Sequence, residues 1–113
     1  MPNVKIYQPA ARILSATDAV SLTNWVSESL EYGAEALLID MSRVSFMDSR
    51  GLGALIITHN RVTKQGGRLG ICSLSGQARM LLELTNLGET FEIYGTAREF
   101  IDTCDGAAGT VGG

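Results

Sequence analysis

Histidine and cysteine are nearly missing from this sequence, which holds one histidine, His59, and two cysteines, Cys72 and Cys104, in 113 residues. The cysteines stand far apart with no clustered spacing, so neither a disulfide framework nor a metal site is visible. Both are expected as free thiols buried as small hydrophobes in a reducing cytosol. An excess of positive charge is also absent. Nine basic residues against twelve acidic ones give a formal charge of −3, the wrong sign for a protein whose affinity rests on phosphate backbones, so nucleic acid is not an expected partner. Long apolar runs are lacking too: Ala36-Leu37-Leu38-Ile39 and Ala54-Leu55-Ile56-Ile57 fall far short of the roughly 20 residues of a membrane span. The opening Met1-Pro2-Asn3-Val4-Lys5 has no charged segment followed by an apolar one, and no signal peptide is expected. These absences point to a soluble cytoplasmic protein.

What is present is an ordinary globular balance, 45% hydrophobic and 19% charged with thirteen glycines for turns, on a length that suits one domain. Val4-Lys5-Ile6-Tyr7 and Arg12-Ile13-Leu14-Ser15, separated by Gln8-Pro9-Ala10-Ala11, read as a β-hairpin. Ala19, Leu22, Val26 and Leu30, with Trp25 beside them, make one apolar stripe of a helix that Thr17 or Asp18 can cap and Gly33 can end. Residues 36–41 are apolar on both alternating sets, the pattern of a strand buried on both faces. A helix from Gly51 to about Lys64 ends at Gly66-Gly67, a strand follows over 68–74, and a short helix spans about 78–85. A brief strand over 91–94 precedes a last helix opened by the capping-box pattern Thr96-Ala97-Arg98-Glu99, with Phe100, Ile101 and Cys104 on its inner face.

The alternation of strands and helices predicts an α/β domain over residues 1–105. It has a mostly parallel sheet of about five strands and about four helices, its opening strand antiparallel at the edge. Residues 106–113, rich in glycine and alanine, read as a flexible tail.

Chemistry concentrates between the central strand and the second helix, in Ser42-Arg43-Val44-Ser45-Phe46-Met47-Asp48-Ser49-Arg50-Gly51-Leu52-Gly53. Here the chain leaves the carboxyl end of a strand for a helix, where open α/β sheets present their sites. Ser49 at the helix start has a plain explanation as an N-cap. As a nucleophile elbow the segment lacks the first glycine, and His59 lies ten residues along the same helix, about 15 Å away, too far to be its base. As a phosphate cradle, Gly51-Leu52-Gly53 lacks the third glycine and the lysine of phosphate-binding loops. As a phosphate acceptor, Ser49 would gain roughly 1.5–2 negative charges, which a helix N-terminus tolerates while a docking partner would not.

The run Leu38-Ile39-Asp40-Met41-Ser42-Arg43-Val44-Ser45-Phe46-Met47-Asp48-Ser49-Arg50-Gly51-Leu52-Gly53 resembles the signature of the STAS family, and within it the bacterial anti-sigma factor antagonists. The similarity extends from about Val4 to Asp102. It implies a regulatory protein, not an enzyme, in which Ser49 is phosphorylated by a partner that is both anti-sigma factor and serine kinase, and a PP2C-type phosphatase restores the hydroxyl. The unphosphorylated form would bind the partner and free a sigma factor. The partner supplies ATP, so this chain needs no cofactor. The resemblance places the partner surface at Asp18, Met47, Asp48, Arg50, Gly51 and Leu52. Two positions depart from the family pattern: Ala16-Thr17-Asp18 keeps its aspartate without its glycine and leucine, and Arg50 stands where a small residue is usual. A constitutive STAS scaffold subunit of a stress-signalling or lipid-transport assembly is the alternative, and a small serine hydrolase or nucleotide-hydrolysing protein a more distant one. Outside this segment the chemical residues read as structural: Asp40 caps the loop after its strand, His59 is partly buried, Trp25, Met41 and Met80 pack, and Arg43 and Arg61 are solvated.

Overall fold

The computed structural model describes the backbone of residues 4–112 and the side chains of residues 4–104. Strands β1 (Val4–Tyr7), β3 (Ala36–Asp40), β5 (Arg68–Cys72) and β6 (Glu92–Tyr94) form a four-stranded sheet in the order β1-β3-β5-β6. Each neighbouring pair is parallel, with Val4 opposite Ala36, Ala36 opposite Arg68 and Gly70 opposite Glu92. Two shorter strands, β2 (Ile13–Leu14) and β4 (Phe46–Met47), pair in parallel as a separate ribbon. Helices α1 (Ala16–Glu31), α2 (Ser49–Lys64), α3 (Gly76–Leu84) and α4 (Ala97–Gly112) alternate with the strands, and a single 3-10 turn occupies Leu87–Glu89.

The α/β class, the parallel sheet and the four helices agree with the sequence reading. The hairpin does not. The opening strand is at the sheet edge as expected, but it runs parallel to β3, and β2 leaves the sheet to pair with β4. The linker explains this: Gln8-Pro9-Ala10-Ala11 has no glycine or asparagine for the left-handed positions that tight hairpin turns require. Period-two alternation also buries both faces of β3. Leu37 and Ile39 enter a large core beneath α1 and α2, whereas Ala36 and Leu38 meet Phe100 and Cys104 of α4 on the opposite face. Cys72 and Cys104 are free and buried, as their isolation in sequence suggested.

Helix ends follow local chemistry. Gly33 and Gly66 take φ near +81° just beyond α1 and α2, the left-handed stop expected of them. Strand β5 ends at Cys72, two residues early, because Ser73 turns to φ +61°. Thr96 Oγ1 accepts from the Glu99 N–H at 3.2 Å, while the Glu99 carboxylate reaches the Gly95 N–H at 3.0 Å, one residue earlier than a regular capping box. The α4 backbone continues to Gly112 through residues read as a tail, whose side chains, with residue 113, lie outside the described residues.

On α3 the inward residues are Ala78 and Leu82, whereas Met80, expected to pack, is exposed, as is Leu84. One charged cluster fastens α4 to the sheet. Arg68 pairs with Glu92 at 2.5 Å, donates to Thr103 Oγ1 at 3.0 Å and lies over the Phe100 ring. The Arg68 guanidinium holds the Glu92 carboxyl below its ordinary range, and burial pushes the Tyr94 phenol up.

Candidate functional site

The site is built on the β2–β4 ribbon. Because the two strands are parallel, with Leu14 opposite Met47, both point their carboxyl ends the same way, and each passes through one residue into a helix. Ser15 separates β2 from α1, and Asp48 separates β4 from α2. The first turns of α1 and α2 therefore lie side by side, and the helices pack along each other. The ribbon is held by a bond between its own strands and by one from α3. Leu14 O accepts from the Asp48 N–H at 3.2 Å, and on the α3 side Gln77 Oε1 accepts from the Met47 N–H at 2.8 Å.

Asp48, not Ser49, is the N-cap of α2. Its Oδ1 accepts from the Arg50 N–H at 3.0 Å and the Gly51 N–H at 2.9 Å, satisfying two donors that the first helical turn leaves without partners. Ser49 is the first helical residue and is exposed, and no hydrogen bond joins its hydroxyl to another described residue. The capping role that explains a serine at a helix start is thus already filled by its neighbour. Arg50 follows, also exposed. Gly51 is buried, and a Cβ there would collide with the Leu14 carbonyl oxygen, so this glycine lets α2 start against β2. Leu52 is half-buried against the core.

Asp18 occupies the third position of α1, and its Oδ2 accepts from the Ser15 N–H at 3.3 Å. It stands at the same end of the molecule as Ser49, on the first turn of the neighbouring helix. Ser15, rather than Thr17 or Asp18, is the cap. Met47 requires a correction: expected as a partner contact, it is only 3% exposed and belongs to the core. The outward place belongs to Phe46, 50% exposed and paired across the ribbon with Ile13, 51% exposed. The sequence reading missed this apolar pair because it took residues 42–48 as loop, and a strand of two residues carries too little alternation to show which of Phe46 and Met47 faces outward.

The remaining candidates fall outside the site. Asp40 Oδ1 accepts from the Ser42 N–H at 2.9 Å, the loop-capping role expected of it. The His59 ring meets the edge of Phe91 with centroids 5.0 Å apart, and its buried Nδ1 has no hydrogen-bond partner among the described residues. Ten residues from Ser49 along α2, it lies about 15 Å away, so the serine has no histidine base. Arg61 donates to Ser27 Oγ at 2.6 Å between α2 and α1. Among the described residues no three His, Cys, Asp or Glu side chains gather as a metal site, and no helix is long and apolar enough to cross a membrane.

Comparison with known proteins agrees with this architecture. The anti-sigma-B factor antagonist of Bacillus subtilis is 41% identical over 63 residues, covering 56% of this chain and 57% of that protein. The chain's matches span about half the length of the first curated relatives. The crystal structure of an anti-sigma factor antagonist from Mycobacterium paratuberculosis superposes with a TM-score of 0.76 at 27% identity, covering 89% of this chain and 85% of that one. The Bacillus cell-fate determinant SpoIIAA has the same fold. Its unphosphorylated form gives a TM-score of 0.77 at 20% identity over 94% of this chain and 91% of that one, and its phosphorylated form 0.71 at 19% over 92% and 93%. The STAS domain model matches residues 1–100, and with the strand-to-helix turn at Ser49 in place the chain belongs to the STAS domain family.

Proposed function

We propose that this chain is a phospho-switch of the anti-sigma factor antagonist kind, acting in the cytoplasm. In its unmodified form it binds an anti-sigma factor that is also a serine kinase. That partner transfers the γ-phosphoryl group of its ATP to Ser49 Oγ, the hydroxyl proton passing to a base of the partner and ADP leaving. The phosphorylated form no longer docks, and a PP2C-type phosphatase returns the hydroxyl by hydrolysis. The observation that carries this reading is the unengaged, exposed Ser49 hydroxyl at the start of α2, freed from capping by Asp48. The family membership and the existence of SpoIIAA in both phosphorylation states support it.

The physical basis is local. A phosphate adds roughly 1.5–2 negative charges beside the Asp48 carboxylate, and that carboxylate already holds the Arg50 and Gly51 N–H groups. The added group then projects outward, into the space a partner would occupy. A penalty of about 3 kcal/mol at the interface weakens binding more than a hundredfold, so no refolding is needed. In this reading Asp18, Asp48 and Arg50 serve as polar rim contacts of the docking surface, with Gly51 and Leu52 shaping the first turn of α2.

The test is a titration of purified anti-sigma factor kinases from the source genome against three forms of the protein. Ser49→Ala is expected to bind like the parent and accept no phosphate, whereas Ser49→Asp folds normally and binds at least tenfold more weakly. Equal binding by all three forms would overturn the switch and indicate constitutive association, as in a scaffold subunit.

A further inference from the structure

Two described residues other than glycine have a positive φ, Ser73 at +61° and Asn86 at +59°, and both border one cleft. The cleft has a volume of about 440 Å³, and Leu74, Arg79, Leu82, Glu83, Gly88 and Ile93 line it. Helix α3 and the turn after it thus form one wall, and β6 the other. Left-handed backbone is unfavourable for a residue with a side chain, and it gathers where a chain shapes a ligand site. At Ser73 its effect is visible. The Ser73 N–H donates to the Tyr94 carbonyl at 3.2 Å, and the chain then turns off the carboxyl end of β5 with Leu74 in the cleft. Carboxyl ends of strands are where open parallel sheets hold ligands.

The lining sets one charged pair, Arg79 and Glu83, against the apolar side chains of Leu74, Leu82 and Ile93. Leu82 is buried and Ile93 is 39% exposed. Alternation along β6 turns Ile93 toward the cleft and its neighbours toward α4, where the Tyr94 hydroxyl donates to Glu92 at 2.8 Å and its ring meets Phe100. A ligand here therefore meets a hydrocarbon surface with a single polar anchor. Arg79 Nε donates to Glu83 Oε1 at 3.1 Å, so neither terminal nitrogen of the guanidinium is engaged by a described residue. That fork matches a carboxylate in two parallel hydrogen bonds. Glu83 offsets much of the cation's charge, which admits a monoanion and repels a phosphate dianion.

We infer that this cleft binds a medium-chain fatty acid, its carboxylate on Arg79 and its chain along Leu74, Leu82 and Ile93. The volume is within the range of small-molecule pockets, which are mostly apolar with a few placed polar groups. The site shares no residue with the Ser49 turn, so it stands or falls apart from the proposed switch.

The test is calorimetric titration of the full chain with octanoate, kept below the concentration at which it forms micelles. Octan-1-ol, octyl phosphate and N-acetyl-leucyl-leucine are the comparison probes. Saturable binding of octanoate at one site is expected. Hexanoate should bind about tenfold more weakly, since two fewer methylenes are buried. Arg79→Gln is expected to weaken octanoate about tenfold or more while leaving octan-1-ol unchanged, and Glu83→Gln to bring octyl phosphate closer to octanoate. Ile93→Glu, which sets a carboxylate against the chain, is expected to abolish octanoate binding. All three positions are exposed, so the variants keep the fold, as thermal midpoints check. In labelled protein, amide shifts on octanoate addition are expected at Leu74, Arg79 and Ile93; shifts confined to other residues overturn the inference. So do the absence of saturable octanoate binding by the parent, parent-like octanoate affinity in Arg79→Gln, and octyl phosphate bound as tightly as octanoate. Tighter binding of the dipeptide than of octanoate would assign the cleft to a peptide terminus instead, against the proposal.

Discussion

At the scale of single residues, the division of labour between Asp48 and Ser49 decides what the site can do. A capping serine would have its oxygen committed to backbone donors; here the carboxylate takes the Arg50 and Gly51 donors and the hydroxyl is left to solvent. Replacing Asp48 with alanine removes that cap and is expected to lower unfolding free energy by about 1 kcal/mol, whereas Asp48→Asn, an equally favoured cap, retains most of it. Denaturant titration of the two variants checks this. Both retaining parent stability would show that the carboxylate does not hold the helix start. The sequence singled out this turn because Asp-Ser-Arg-Gly-Leu-Gly follows an apolar strand, yet the cap read at Ser49 lies one residue earlier, at Asp48, since aspartate and serine are comparably good caps. Likewise, Met47 proved buried where a partner contact was expected, because a two-residue strand is too short to declare its phase before its partner strand is known.

At the scale of elements, α4 is fastened to the sheet edge through Arg68 of β5 and Glu92 of β6, supplemented by Tyr94 and Thr103. Because the Glu92 carboxyl is held below its ordinary value, chiefly by its hydrogen bond from Arg68, the folded state favours the ionised form. This contribution is fully present above the unfolded carboxyl pKa near about 4.3 and is lost as pH falls through the lower folded value. The pair is partly solvated, which makes the effect modest. Thermal midpoints measured between roughly pH 5 and pH 3 should fall, and the fall should be shallower in Glu92→Gln; identical slopes would remove this pair from the acid response.

Periodicity also made the helices legible, since Leu22 and Val26 of α1 and Leu55 and Val62 of α2 are buried where their spacing put them. Strand pairing was harder to read. Nothing local distinguishes two short strands joined by four residues as a hairpin from two strands that pair elsewhere, because β2 finds its partner some thirty residues away in β4.

At the scale of the whole molecule, the sheet covered by α1 and α2 on one face and α4 on the other is a rigid support that presents one strand-to-helix edge. With the first turns of α1 and α2 side by side, a partner approaching that edge meets Asp18, Ser49 and the Ile13–Phe46 pair on neighbouring elements. Under the proposed switch, the apolar pair is a surface that the charge state of Ser49 opens or closes with no rearrangement of the core. A single histidine, far from Ser49 along α2, suits the proposed reading, in which partners perform the chemistry on this hydroxyl.

The most direct test is calorimetric titration of the anti-sigma factor kinase, without ATP, into two preparations of this protein: unmodified, and carrying one phosphate at Ser49 as verified by intact mass. Saturable binding of the unmodified form is expected, with at least a hundredfold weaker binding of the phosphorylated form and superimposable circular dichroism spectra. Equal affinities for the two, or a phosphorylated form that has lost its fold, would contradict the proposed switch.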